Sequence, residues 1–319
     1  MTAIPSKTLQ PELDGVVSIS LQLLIRLGGK AQHLTSPRSL IRASLQGLHL
    51  SPFKGRGMDF AESRPYENGD DVRNLDWRVT ARSGKLHTKL FQEERERPVL
   101  LCVDLQPPMF FATRGVFKSV IAAQAAALLA WNAWKSGDRV GGLVFDGENI
   151  HEVRPLRNRS RLLHLLKMIS EATLQRPREK KQAPQTHTQQ LSEALSNLRR
   201  VITPGSRIFL LSDFHGINAV VRKQLAVLAR NSDLYLVMVS DPMERQFPAA
   251  GQWRVTDSKR FLQLDFSRKK ARADYQQQSA SRVEQLQQLA HQHRFSLIRL
   301  STQDNVFLTL QQHLSERNG

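Results

Sequence analysis

Cysteine is almost absent from this chain of 319 residues, which contains one thiol, Cys102, within the apolar run PVLLCVDL. One cysteine cannot build a disulfide framework, so the composition argues against a small disulfide-stabilised secreted protein and fits a reducing compartment. No base or exposed turn flanks Cys102 in the sequence, and the pattern therefore disfavours a nucleophilic cysteine. We expect Cys102 to be a buried core residue.

Long hydrophobic runs are also lacking. The most apolar segment, SVIAAQAAALLAWNAW, contains Gln124 and Asn132 and is shorter than the ~20 residues that a helix needs to cross a bilayer. The first residues, MTAIPSKTLQPELDG, lack the charged start and the apolar core of a signal peptide. These absences predict a cytoplasmic protein without a transmembrane segment.

Several motifs of nucleotide binding and hydrolysis are missing as well. LGGKAQ lacks the spacing and the hydroxyl of a P-loop, and GRGMDF lacks the third glycine of a dinucleotide-binding turn. The sequence has no G-x-S-x-G nucleophile elbow. His291 and His293 are two apart on a predicted helix, so they point to different faces and do not form a metal-binding pair.

Acidic residues are scarce relative to basic ones. The chain contains 29 Asp and Glu but 46 Lys and Arg, which gives a net charge of +17. This excess indicates an acidic partner, which can be nucleic acid, an anionic membrane surface or an acidic protein. The densest cluster, RPLRNRSRLLHLLKMISEATLQRPREKK, is not interleaved with aromatic residues as single-strand stacking platforms require. We therefore favour a solvated basic face. Nucleic-acid binding through the basic loop Arg176–Lys181 stays open as an alternative.

The chain changes character near residue 98. Residues 1–97 are punctuated by Gly and Pro, and they begin with a predicted helix, DGVVSISLQLLIRLGG, that Gly28 and Gly29 end. Residues 98–319 alternate short apolar runs with helical periods, and Thr188 is placed to cap one of these helices. We predict an irregular α+β region over 1–97 and an α/β domain over 98–319.

The alternation in the second region is typical of a doubly wound, mostly parallel sheet with helices on both faces. The predicted strands include PVLLCVDL, DRVGGLVFD, SRIFLLSD, DLYLVMVSD and FSLIRLS, and WRVTD with RFLQLD forms a predicted hairpin. Three of the strands end in an aspartate, namely Asp104, Asp213 and Asp241. Ligands bind beyond the carboxyl ends of the strands in such sheets, so these aspartates mark the expected working edge.

A second group of carboxylates lies in the segment SRPYENGDDVRNLDWR. Asp70, Asp71 and Asp76 are close enough in sequence to hold a metal ion or to act as acid and base. Five acids and four arginines between Glu62 and Arg82 nearly cancel in charge, and the spacing of a calcium loop does not occur. Chemistry therefore favours a scaffold of Arg–Asp salt bridges, with a hydrolase that uses Asp70, Asp71 and Asp76 as the alternative.

The same region resembles the signature of the "domain of unknown function 58" family. That signature contains Arg-x-Tyr-x-x-Gly-Asp-Asp, then Asp-Trp-Arg and Ala-Arg, then Lys-x-Phe-x-Glu-Glu before a strand that ends in Asp. The matching residues are Arg64, Tyr66, Gly69, Asp70, Asp71, Arg73, Asp76, Trp77, Arg78, Ala81, Arg82, Lys89, Phe91, Glu93 and Glu94.

The resemblance implies that residues 98–319 form a von Willebrand factor A-like domain of Rossmann type. Such domains often hold Mg²⁺ at a metal-ion-dependent adhesion site with an Asp-x-Ser-x-Ser motif after the first strand. Here the motif reads DLQPP, so Gln106 and Pro108 replace both serines after Asp104, while Thr188 and Asp213 fill the other positions. Because proline offers no side-chain ligand, we expect a degenerate site without Mg²⁺ that still serves as a partner surface.

The resemblance also implies a non-enzymatic adaptor without a catalytic residue or a cofactor. Members of the family are associated with a MoxR-type AAA+ ATPase and with the maturation or assembly of other proteins. For this chain, the resemblance implies recognition of such an ATPase or of its client. Nucleic-acid binding and hydrolysis are the two alternatives that the residues leave open.

Overall fold

The computed structural model describes residues 14–35, 58–93, 96–174, 187–215, 217–245, 252–256, 261–265 and 269–316. In chain order its strands are β1 (Met58–Pro65), β2 (His87–Glu93), β3 (Pro98–Asp104), β4 (Arg139–Phe145), β5 (Ile150–Leu156), β6 (Ser206–Ser212), β7 (Ser232–Ser240), β8 (Gln252–Thr256), β9 (Phe261–Asp265) and β10 (Ser296–Ser301). Its α-helices are α1 (Leu21–Ala31), α2 (Trp77–Ser83), α3 (Lys118–Lys135), α4 (Arg159–Leu174), α5 (His187–Val201), α6 (Ala219–Asn231), α7 (Pro242–Arg245), α8 (Lys269–His293) and α9 (Val306–Glu316). Short 3₁₀ helices cover Val72–Asn74 and Pro107–Met109.

The chain divides into two units. The larger unit joins residues 14–35 to the residues that follow 97, and the smaller unit contains the described residues from 58 to 97. The predicted region 1–97 includes residues 14–35 together with the smaller unit. Helix α1 belongs with the larger unit because Leu24 and Ala31 are buried in the same core as α3.

A six-stranded sheet forms the centre of the larger unit, with the strand order β10-β7-β6-β3-β4-β5. All neighbouring pairs are parallel except β4 and β5. Strands β3, β6 and β7 are buried along their whole length, as continuous apolar strands in a parallel sheet should be. The predicted mostly parallel α/β sheet is confirmed.

Helices cover both faces of this sheet. Leu101 and Val103 of β3 join the core that contains residues of α1, α3, α4 and α9. Leu100 and Cys102 join the opposite core with residues of α5, α6 and α8, because alternate residues of a strand point to opposite faces. Cys102 is fully buried, and burial raises the pKa of its thiol, so its predicted core position is confirmed.

Helix α1 differs from its prediction at both ends. It begins at Leu21, where the Ser20 hydroxyl accepts a hydrogen bond from the Leu23 backbone N–H (3.3 Å). Gly28 does not end the helix, because it lies inside α1 and allows close approach to Trp131. A Cβ atom on Gly28 would be 3.1 Å from the Trp131 ring, which is tighter than ordinary packing.

Three other secondary-structure elements can be compared with their predictions. The predicted hairpin is confirmed as the antiparallel pair β8 and β9. Strand β5 was not predicted, because IHEVRPL is mostly polar and contains Pro155, a composition that suits the edge of a sheet. Helix α5 begins at His187, so Thr188, the predicted cap, lies in its first turn. Among the described residues, no helix combines the length and apolarity required to cross a membrane.

Candidate functional site

The carboxyl ends of β3 and β6 meet at the middle of one edge of the sheet. From β3 the chain continues to β4 on one side, whereas from β6 it continues to β7 on the other side. Such a reversal opens the crevice where doubly wound sheets usually bind ligands. Around this point lies a group of side chains that we call the carboxyl edge cluster, consisting of Asp104, Gln106, Lys118, His187, Ser212, Asp213, His215, Glu244 and Arg282.

Asp104 lies beneath this edge and is 3% exposed. Its Oδ1 accepts a hydrogen bond from the Gln106 backbone N–H (3.0 Å), and its Oδ2 accepts one from the Ser212 hydroxyl (2.6 Å). Burial, followed by the negative charge of Asp213, raises the pKa of the Asp104 carboxyl to about 7. The charge of Asp104 therefore changes near neutral pH.

Lys118, the first residue of α3, places a buried ammonium group between two carboxylates. Its Nζ is 2.8 Å from Asp213 Oδ2 and 2.7 Å from Glu244 Oε1, and Lys118 is 1% exposed. Burial would lower the pKa of Lys118, but the two carboxylates outweigh it and raise that pKa. Burial would likewise raise the pKa of Asp213, but Lys118 and His215 lower it. The three side chains therefore form a buried salt-bridged group.

His215 connects this buried group to the surface. Its backbone N–H donates to Asp213 Oδ1 (3.0 Å), and its Nδ1 is 3.3 Å from Asp213 Oδ2. Arg282 of α8 lies against the same imidazole, with Nη1 3.0 Å from Nδ1, and also lies 3.9 Å from Glu244 Oε2. The His215 side chain is 39% exposed, so it is a part of the cluster that solvent and partners can reach.

His187 forms the other accessible part of the cluster. Gln106 Nε2 donates to the His187 carbonyl oxygen (3.4 Å), and Gln106 Oε1 lies 3.3 Å from His187 Nδ1. Burial and the neighbouring His215 lower the pKa of His187, although Asp213 opposes them. Two imidazoles thus lie above the buried ions.

The backbone between Asp213 and His215 is left-handed at Phe214, where φ is 54°. This conformation costs a residue other than glycine about 1–2 kcal/mol. Two contacts offset the cost, because the Phe214 ring is fully buried and its N–H donates to the Ser212 hydroxyl (3.0 Å). The turn lets Asp213 point inward while His215 reaches the surface.

Asp241, which follows β7, has a separate structural role. Its carboxylate accepts hydrogen bonds from the N–H and hydroxyl of Thr113 (2.8 and 2.5 Å), from the Thr302 hydroxyl (2.9 Å) and from the Met243 N–H (2.9 Å). Although burial opposes them, these bonds lower the pKa of Asp241. The hydrogen bonds of Asp241 join the loop before α3 to the end of β10.

The residues at this edge do not suit the Mg²⁺ site that the resemblance implies. The ammonium of Lys118 already neutralises Asp213, and a divalent cation beside it would be repelled. Gln106 is engaged with His187, and Pro108 lies in a 3₁₀ turn without a ligand atom. Within the described parts of the chain, no three His, Cys, Asp or Glu side chains form a group that could hold a metal ion.

The three aspartates of the signature lie in the smaller unit and have separate partners. Asp70 forms an ion pair with Arg64 (2.8 Å), and its other oxygen accepts a hydrogen bond from the Glu67 N–H (3.0 Å). Asp71 caps the 3₁₀ helix Val72–Asn74 by accepting a hydrogen bond from the Arg73 N–H (2.9 Å). These contacts assign structural roles to both carboxylates.

Asp76 caps α2 and joins it to β1. It accepts hydrogen bonds from the Ser63 hydroxyl (2.7 Å) and from the N–H groups of Arg78 and Val79 (both 3.2 Å). The bonds from Ser63 and Val79 lower the pKa of Asp76. None of these contacts arranges Asp76 with Asp70 or Asp71 as an acid–base pair.

The expected network of Arg–Asp salt bridges is correct only for Arg64 and Asp70. Among the residues that the structure describes, Arg73, Arg78 and Arg82 form no ion pair and are exposed. Asp71 and Asp76 instead each use one carboxylate oxygen to cap a helix, and the other oxygen of Asp76 accepts a hydrogen bond from the Ser63 hydroxyl.

The other signature residues complete the smaller unit. The Tyr66 N–H donates to the Leu86 carbonyl (2.9 Å), and Gly69 has a φ of 111°, which favours glycine. Trp77 and Ala81 lie exposed on α2. Lys89, Phe91 and Glu93 belong to β2, whereas Glu94 and the basic loop Arg176–Lys181 lie outside the described residues.

Sequence reasoning missed Lys118, Glu244, His215 and Arg282. The sequence contained one signal for Lys118, which is the first residue of the apolar helix KSVIAAQAAALLAWNAWK. A lysine that is buried with such a helix requires a carboxylate partner, because burial of an unpaired charge is costly. The partners themselves are 95 and 126 residues away in sequence, so spacing could not identify them.

Comparisons with known proteins place this chain among relatives without an assigned activity. It is 31% identical over 223 residues to the uncharacterized protein Rv1480 of Mycobacterium tuberculosis, which covers 70% of this chain and 68% of the relative. The uncharacterized protein Mb1516 of Mycobacterium bovis matches with the same values.

Two solved structures are similar at low identity. One is the conserved hypothetical protein BatB of Bacteroides thetaiotaomicron, with 14% identity, a TM-score of 0.43, and coverage of 70% of this chain and 98% of that one. The other is an aerotolerance-related membrane protein of Bacteroides fragilis, with 15% identity, a TM-score of 0.40 and the same coverage.

A match to a family model has a similar extent. The model of the family described as "Protein of unknown function DUF58" matches residues 62–285, which include the smaller unit's signature and most of the sheet. This chain therefore belongs to the DUF58 family.

Proposed function

We propose that this chain is a non-enzymatic, cytoplasmic protein-binding module that docks a partner at the carboxyl edge cluster. The pairing of Lys118 with Asp213 and Glu244 supports the proposal most directly. Lys118 bridges both carboxylates below the surface and Arg282 lies 3.9 Å from Glu244, so none of these groups is presented to a substrate as a free nucleophile or base.

The accessible part of the edge has the character of a docking surface. Pro107 is exposed, Pro108 and Thr188 are half-buried, and the imidazoles of His187 and His215 lie at the surface. These groups can bind a protein partner through packing and hydrogen bonds rather than through ion pairs. The buried side chains of Asp104, Gln106 and Asp213 support these surface groups from below. Of the predicted partner-surface positions, only Pro108 and Thr188 are therefore open to direct contact.

We further propose that the partner is a MoxR-type AAA+ ATPase or its client. The motivation is the family membership together with the adaptor role that the resemblance implies. Hydrolysis by Asp70, Asp71 and Asp76 is not favoured, because each carboxylate has a structural partner of its own.

Co-purification of the tagged full chain with the MoxR-type ATPase of the same genome tests this proposal. We expect a complex and a change in ATP turnover, and we expect Pro107→Glu to weaken both because it places a charge on the docking surface. Pro204→Glu is the matched control, since Pro204 is also exposed but precedes β6 at the opposite edge of the sheet.

Absence of a complex together with unchanged ATP turnover would contradict the ATPase partnership. Equal losses for Pro107→Glu and Pro204→Glu would contradict the placement of the docking surface. An activity of the isolated chain that Asp71→Asn abolishes without lowering its melting temperature would favour the hydrolase alternative instead.

A further inference from the structure

The smaller unit exposes large apolar side chains beside α2. Trp77 is 66% exposed, Val72 is 63% exposed and Leu86 is 48% exposed. Tryptophan is highly buried on average, so a tryptophan with two-thirds of its surface in water is unusual. The three side chains lie within fifteen residues of one another in sequence, on the 3₁₀ helix, α2 and the turn that follows it.

Unpaired positive charge accompanies these apolar groups. Arg73, Arg78 and Arg82 are exposed, and among the described residues they form no ion pair. Asp71 and Asp76 accept backbone hydrogen bonds as helix caps, and within the described parts of the chain neither forms an ion pair with these arginines. We call the exposed set the Trp77 surface, which consists of Val72, Arg73, Trp77, Arg78, Arg82 and Leu86.

A rigid framework supports the Trp77 surface. Asp76 is 7% exposed, its side chain caps α2, and its own N–H donates to the His87 carbonyl of β2 (2.8 Å). At the other end of α2, Gly84 has a φ of 71° and its N–H donates to the Thr80 carbonyl (2.9 Å). The His87 N–H also donates to the Thr80 hydroxyl (3.1 Å). The exposed groups are therefore held before a partner arrives, which lowers the entropy cost of binding.

We propose that the Trp77 surface binds an acidic segment of a protein partner that also carries apolar side chains. Tryptophan and arginine are the residues most enriched at binding hot spots. The guanidinium groups provide paired donors for carboxylates, and the aliphatic Val72 and Leu86 favour apolar side chains over stacked bases. This surface is distinct from the carboxyl edge cluster, so the inference does not depend on the function proposed above.

Fluorescence anisotropy with a labelled peptide tests the inference on the full chain. The probe is a twelve-residue peptide of Asp and Glu in which every third position is Leu. We expect binding that weakens as salt rises, since ionic screening reduces the attraction of the arginines. Trp77→Ala and the double variant Arg78→Gln/Arg82→Gln should each weaken binding by about tenfold or more, whereas Trp77→Phe should retain a measurable part of it.

Matched changes elsewhere in the chain serve as controls. Leu308→Ala removes another apolar side chain that is 61% exposed, and Arg230→Gln removes another exposed arginine. Both should bind the peptide as the unmodified chain does, and far-ultraviolet circular dichroism should show that all variants fold. A peptide with Gln in place of Asp and Glu should not bind.

Three results would overturn the inference. The first is no binding of the acidic peptide at low salt. The second is an equal loss of affinity in the variants and their controls. The third is Trp77-dependent binding of a single-stranded oligouridylate that is tighter than binding of the peptide, which would assign the surface to nucleic acid.

Discussion

The ammonium group of Lys118 is enclosed by protein and has two carboxylate neighbours, Asp213 and Glu244. A buried ion pair contributes little net stability compared with well-packed apolar residues, but removing one partner leaves an uncompensated charge in a medium of low polarity. The integrity of the carboxyl edge cluster therefore depends on Lys118 as well as on its carboxylate partners.

Lys118→Met removes the ammonium while keeping a side chain of similar length. We expect the free energy of unfolding at neutral pH to fall by about 3–5 kcal/mol, because Asp213 and Glu244 would face each other without a cation. Urea unfolding measures the change. Lys223→Met, at an exposed position of α6, should change stability by less than about 0.5 kcal/mol. Similar values for the two variants would contradict the role of Lys118.

Asp104 gives the stability of the protein a defined dependence on pH. Its pKa in the folded state is about 7, above the ordinary value of 3.8, so the folded protein retains a proton that the unfolded chain releases between these values. The contribution of Asp104 is therefore most favourable below about pH 4 and is lost as pH rises through 7, by up to about 1.4 kcal/mol per pH unit.

Asp104→Asn tests this dependence because asparagine resembles the protonated acid. Urea unfolding at several pH values should show the unmodified chain losing stability relative to the variant between about pH 4 and 7, with a constant difference above that range. A difference between Asp104→Asn and the unmodified chain that does not vary with pH would be inconsistent with the raised pKa.

At the scale of elements, the packing of α1 on α3 depends on one of two adjacent glycines. A Cβ on Gly28 would press on the Trp131 ring, whereas a Cβ on Gly29 would meet nothing within 4 Å. Trp131 cannot easily move away, because its Nε1 donates to the Leu24 carbonyl (3.1 Å).

Gly28→Leu should therefore lower the free energy of unfolding by about 1–3 kcal/mol through overpacking. Gly29→Leu at the neighbouring exposed position should raise it by several tenths of a kcal/mol, because leucine is the better helix former. Urea unfolding of the pair provides the measurement. Equal effects at both positions would show that α1 does not pack on Trp131 in the manner described.

The helices and strands that could be predicted are those whose burial produces a pattern within their own residues. Continuous apolar runs identified β3, β6 and β7, and periodicity identified α6 and α8, because burial on both faces or on one stripe leaves a direct pattern in the sequence. Strand β5 was missed because edge strands carry polar residues and proline. The carboxyl-terminal end of α1 was misplaced because Gly28 packs against Trp131, which is more than a hundred positions away in sequence.

The position of the candidate site in the fold could be predicted from the sequence, but most of the side chains that form it could not. Asp104 and Asp213 marked the edge, since strands that end in aspartate are visible in the sequence and parallel strands align their carboxyl ends. The pairing of Lys118 with Asp213 and Glu244 could not be identified, because the crossover connections of the fold create it. The signature differs for another reason, because Asp71 and Asp76 accept local backbone hydrogen bonds as helix caps where salt bridges were expected.

At the scale of the whole molecule, the larger unit is discontinuous in sequence. Residues 14–35 provide hydrogen-bond acceptors for α3, since Asn132 Nδ2 donates to the Leu34 carbonyl (2.7 Å), and the Ser170 hydroxyl of α4 donates to the Ile19 carbonyl (2.8 Å). The part of the chain that follows residue 97 is thus incomplete without this N-terminal segment.

A fragment of residues 98–319 should therefore unfold at lower urea than the full chain and should bind a dye specific for exposed apolar surface. Adding a synthetic peptide of residues 14–35 should restore part of the stability, because it supplies the missing face of the core. A fragment that is unaffected by the peptide and as stable as the full chain would contradict the packing of α1.

The position of Cys102 makes the unmodified chain convenient for site-directed chemistry. The only thiol lies at the centre of the sheet and is fully buried, so a maleimide reaches it only when the sheet opens. A second cysteine introduced on the Trp77 surface or at the carboxyl edge would be labelled selectively in the native protein. The slow reaction of Cys102 in the same sample would then report the rate at which the whole larger unit opens.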